Sequence, residues 1–93
     1  MILPSNRFNN DPWAKSHPRE WKVIASYVDE AYKRRQSPTT LDEVNWSVAI
    51  RVLMEYETTG RDAYMKGFAP YMRRRHHKLI EDYEMYKEAL YGA

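Results

Sequence analysis

Apolar residues return every three or four positions in three separate stretches of this 93-residue chain, and the strict alternation of a half-buried strand is absent. In the first stretch, Trp21, Ile24, Ala25, Val28, Ala31 and Tyr32 fall within one arc of about 120°, counting 100° per residue. Lys22, Ser26, Asp29, Glu30, Lys33 and Arg34 take the far side, with Asp29–Lys33 and Glu30–Arg34 in the favourable i,i+4 order. Ser16 or His17 is placed to cap this helix, Pro18 suits its first position, and Ser37-Pro38 stops it. Lys33-Arg34-Arg35 complements the negative end of the helix dipole.

The second stretch opens on Thr40-Leu41-Asp42-Glu43, which has the S/T-x-x-E form of a capping box, and runs to about Thr58. Leu41, Val44, Val48, Val52 and Tyr56 make one stripe, and Trp46, Ala49, Ile50 and Leu53 make a second beside it. A helix apolar over most of its circumference has neighbours on most sides, so this one is expected at the centre of the fold. Gly60 suits the left-handed position that closes it.

A short helix from Arg61 to about Phe68 follows, with Tyr64, Met65 and Phe68 on its apolar face. In the third stretch, Met72, His76, Leu79, Tyr83, Tyr86 and Leu90 fall within about 80° of one another. Pro70 either begins a new helix or kinks one long helix from Arg61 to Tyr91.

These patterns predict an all-α fold: a small bundle of three to four helices, with residues 17–93 as a single helical domain. Residues 1–16 read as an irregular N-terminal arm. Pro4, Pro12 and three asparagines punctuate it, and Phe8 and Trp13 are its only large anchors. Those two rings either pin the arm to the domain or order it on a partner.

Composition narrows the function. The chain has no cysteine, which excludes disulfides, thiolate metal sites and cysteine nucleophiles together. There is no G-x-S-x-G turn, no glycine-rich phosphate loop and no H-E-x-x-H. Paired carboxylates such as Asp29-Glu30 and Glu81-Asp82 read as solvent-side helix residues, not as a desolvated acid–base pair. His76 and His77 point about 100° apart on a helix and cannot chelate one ion. The expectation is a non-enzyme with no metal and no cofactor. Met1-Ile2-Leu3 ends at Pro4, so neither a signal-peptide core nor a membrane span is expected, and the expected compartment is the cytoplasm.

The charge balance is 15 Lys and Arg against 13 Asp and Glu, a formal +2, but it is unevenly distributed. Arg73-Arg74-Arg75-His76-His77-Lys78 is basic, while Glu81, Asp82, Glu84 and Glu88 follow it. If Pro70 starts a helix, the cations sit at its positive end, where they are disfavoured and an anion is welcome. If the helix is continuous, Arg73 and Arg74 lie on an ordinary solvated face, with Arg75 at the edge of the apolar stripe.

Eight tyrosines and three tryptophans stand against two phenylalanines, so most aromatic rings carry a polar handle. Tyr, Trp, Met and Arg are enriched in the cores of interfaces. The expected function is therefore protein–protein contact, as an accessory subunit, assembly factor or inhibitor. Its anchors would be Tyr71, Arg74, Arg75, Tyr83 and Tyr86, and its target a protein with an acidic patch or a second copy joined through the Met72–Leu90 stripe. The alternative is nucleic-acid binding through Arg61, Lys66, Arg73, Arg74, Arg75 and Lys78, with Tyr64 or Tyr71 stacking on bases. The acidic tail argues against a membrane surface.

Overall fold

The computed structural model describes residues 3–34, 46–60 and 69–92. Its elements are a 3-10 segment, Pro4–Phe8, followed by α1 (Pro12–Ser16), α2 (Pro18–Arg34), α3 (Trp46–Thr59) and α4 (Pro70–Tyr91). No strand occurs among the described residues, and the fold is a small all-α bundle. The Thr40–Glu43 capping box and the expected helix from Arg61 to Phe68 lie outside the described residues.

The local signals act where they were expected at three boundaries. α2 begins at Pro18, with the Trp21 N–H donating to the His17 carbonyl at 2.8 Å. Gly60 adopts φ +83° and closes α3 through its N–H on the Tyr56 carbonyl at 2.9 Å. The ambiguity at Pro70 is decided by Ala69, whose ψ of 152° is extended and cannot continue a helix. Pro70 therefore starts a new helix.

The N-terminal arm is not irregular. Asp11 caps α1, its carboxylate accepting from the Trp13 N–H at 2.9 Å, and Pro12 fills the first helical position. Phe8 is buried and meets Trp21 at 6.1 Å between ring centroids, with the Arg51 guanidinium 5.3 Å from its ring. Ser5 is buried too. Its backbone N–H and hydroxyl both donate to the Asp29 carboxylate, at 3.2 and 2.6 Å. Asp29, expected on the solvated side of its helix, thus ties the arm to α2. The Trp13 indole donates to the Thr58 hydroxyl at 2.7 Å, fastening α1 to α3.

Phe8, Val23, Ile24, Val28, Ala49, Ile50, Val52, Leu53, Leu79, Ile80 and Tyr83 form one core. α2 packs on the 3-10 segment, α1, α3 and α4, so it shares the central place expected of α3 alone. This is why Val23 is buried and Tyr27 half-buried, although both lie outside the expected stripe. Tyr27 meets Tyr83 and Tyr86 of α4 at 5.6 and 5.4 Å. On α3, Ala49, Ile50 and Leu53 of one stripe are fully buried and its Trp46 is half-buried, while Val48 of the other stripe remains 43% exposed.

Candidate functional site: the outer face of α4

α4 divides into two faces of different chemistry. Its inner face carries His76, Leu79, Ile80 and Tyr83, all buried, with Met72, Asp82, Tyr86 and Lys87 half-buried along the margins. The Met72–Leu90 stripe therefore belongs to the chain's own core. Self-association through it is ruled out by burial, because only Leu90 at its end is exposed.

Tyr83 must also be withdrawn as a partner anchor. It is 0% exposed, packed edge-on against Tyr27 and Tyr56, and Lys87 Nζ lies 5.1 Å from its ring centroid. Burial raises its phenol pKa, and the neighbouring Glu57 carboxylate raises it further without meeting hydrogen-bond geometry. Tyr86 is half-buried, and its hydroxyl shares a 2.5 Å hydrogen bond with that of Ser26. Both phenols work mainly inside the fold. The rings had suggested a surface because tyrosine is an interface residue; their place in the apolar stripe was the better guide.

The outer face is different. Tyr71 is 57% exposed and Met85 68% exposed. Arg73, Arg74, Arg75, His77 and Lys78 are all exposed. Arg73, Arg74, His77, Lys78 and Glu81 line an open concavity of about 510 Å³. His77 Nε2 approaches Glu81 at 3.7 Å, a spacing that counts as an ion pair only when the imidazole is protonated. Among the described residues, Arg73, Arg74 and Lys78 have no ion-pair partner. The Ala69 cap supplies no side-chain acceptor, and the first turn of α4 carries no acidic residue.

The sequence-predicted residues thus separate. Tyr71, Arg74 and Arg75 are on the surface, Tyr86 is at the core margin, and Tyr83 is inside. Arg73 and Lys78 join Arg74 around the concavity, while Arg61 and Lys66, with Tyr64, lie outside the described residues. Met85 was missed, although its place in the spacing 71, 74, 78, 81, 85 was legible.

A second polar cluster joins α3 to α4. Lys87 Nζ pairs with Glu57 Oε1 at 2.9 Å, and the Tyr56 hydroxyl donates to Glu84 Oε2. Its members satisfy one another and stitch two helices, which is a structural use. Among the described residues, no three His, Asp or Glu side chains are placed to hold a metal ion. No described helix is long and apolar enough to cross a membrane. No protein family, characterised protein or solved structure matches the chain.

Proposed function

We propose that this chain is a non-catalytic binding protein that acts by protein–protein contact through the outer face of α4. Tyr71 and Arg74 are its anchors, Arg73, Arg75 and Lys78 supply the surrounding positive charge, and Tyr86 borders the contact from the core margin. The partner presents acidic groups to the first three turns of α4. In the cell such a chain serves as an accessory subunit, an assembly factor or an inhibitor.

One observation carries this reading: Arg73, Arg74 and Lys78 line an open concavity, beside His77 and Glu81, without an ion-pair partner among the described residues. Arg73 and Arg74 lie just past the first turn of α4, toward the positive end of its dipole, where a cation is disfavoured. An anionic group delivered by a partner turns that arrangement into two-pronged guanidinium hydrogen bonds. Tyr71 adds a large ring beside them, the combination typical of interface hot spots.

The same concavity favours a second reading, nucleic-acid binding, in which the cations meet phosphates and Tyr71 stacks on a base. Nuclease treatment separates the two. Nucleic-acid binding predicts a gel shift whose affinity falls log-linearly with salt and disappears when Arg73, Arg74 and Arg75 become Glu. Protein contact predicts that a complex recovered with the native chain survives nuclease and is lost in Tyr71→Ala. A nuclease-sensitive complex indifferent to Tyr71→Ala would overturn the protein reading.

A further inference from the structure

We infer that the outer face of α4 pairs antiparallel with the same face of a second copy of this chain. This rests on the protein-contact reading and names the partner. Residues 71, 74, 78, 81, 85 and 88 recur at alternating steps of three and four, the spacing of a coiled-coil seam. All six are exposed: Tyr71, Arg74, Lys78, Glu81, Met85 and Glu88. They run along about 26 Å of helix at 1.5 Å per residue.

The order of charges selects both the occupant and its direction. The first half of the seam is basic and the second half acidic. An antiparallel copy sets Lys78 against Glu81, Arg74 beside Met85, and Tyr71 beside Glu88, each pair occurring twice about the two-fold axis. A parallel copy would set every charge against its like. A partner that is acidic throughout would suit Arg74 and Lys78 but repel Glu81 and Glu88.

The helix dipole points the same way. α4 carries its cations toward its positive end and its anions toward its negative end, the disfavoured distribution at both. Laid antiparallel, the cations of one copy lie beside the C-terminal half of the other, where negative charge accumulates. Pairing therefore relieves an arrangement that is unfavourable in a single chain. With only Tyr71 and Met85 as large apolar groups in the seam, the dimer is weak, and it weakens with salt.

The test is sedimentation equilibrium of the whole chain at low and high salt, with Lys78→Glu, Glu81→Lys and the double variant. Each single variant places like charges at both symmetric layers, and about a tenfold weaker dimer is expected. The double variant restores opposite charges and is expected to restore the dimer. An equimolar mixture of the two single variants is expected to form a heterodimer. A folding defect would not produce either recovery.

A wild-type chain monomeric up to millimolar concentration overturns the inference, as does a dimer indifferent to both single variants. Poly-glutamate, as a defined acidic probe, separates this failure from failure of the underlying reading. A monomer that binds the probe and loses it in Arg74→Glu keeps the docking face and discards the second copy. A monomer that ignores the probe, with no Tyr71-dependent complex recovered, discards both.

Discussion

The N-terminal segment and the outer face of α4 have opposite fates, although each carries large rings and polar groups. In the segment, each prominent side chain has an internal counterpart: Ser5 with Asp29, Phe8 with Trp21 and Arg51, Trp13 with Thr58. On α4, Tyr71 and Met85 are more than half exposed, and Arg73, Arg74 and Lys78 have no ion-pair partner among the described residues. Residue type does not distinguish the two regions. What does is whether the rest of the chain supplies complementary groups, and that contrast yields a series of measurable differences.

The largest effect is expected from Phe8→Ala, which empties a core position and should cost about 3–5 kcal/mol in denaturant unfolding. A loss below about 1 kcal/mol would mean that the arm is an appendage after all. Next is Asp29→Ala, which leaves the buried Ser5 hydroxyl and N–H without their acceptor, for about 1–3 kcal/mol. A third test uses pH. Burial lowers the His76 pKa, so below the ordinary histidine value of about 6.5 the unfolded chain binds more protons than the folded one. Stability from this group is complete above that value and falls as pH drops below it. His76→Gln is expected to flatten that acid-side slope, and an unchanged slope would assign the loss to other groups.

The smallest effects on stability sharpen the contrast. Tyr86→Phe removes the bond to Ser26 and should cost about 1 kcal/mol. Arg74→Ala should stay within about 0.5 kcal/mol of wild type while abolishing partner contact. If Arg74→Ala destabilised the fold as much as Asp29→Ala, the outer face would be structural and the comparison would collapse.

The helices were legible because each long amphipathic stretch repeats its signal over several turns. The α4 stripe marked a real feature for that reason, while Pro18 and Gly60 marked the ends of such stretches by backbone chemistry alone. The arm was illegible to periodicity because its two elements are five residues each, barely one turn. Its signal was local: Asp11 before Pro12 is a cap before a first-turn proline, read only as punctuation. Ser5 with Asp29, 24 positions apart, had no local trace at all. Within the candidate site, the basic run was plain and its place at a helix start rested on one dihedral, that of Ala69. For Tyr83, position outweighs residue type: a ring in the middle of an apolar stripe goes inside whatever its polar tip.

The seating of Trp13 has a practical consequence. Its indole stacks on the His17 ring with centroids 4.4 Å apart while its N–H is held by Thr58 on α3. Indole emission is sensitive to a stacked neighbouring ring, so this fluorophore reports whether the two rings stay together. Lifting of the arm is thus open to observation by intrinsic fluorescence without any label, with Trp13→Phe as the blank against the other two indoles.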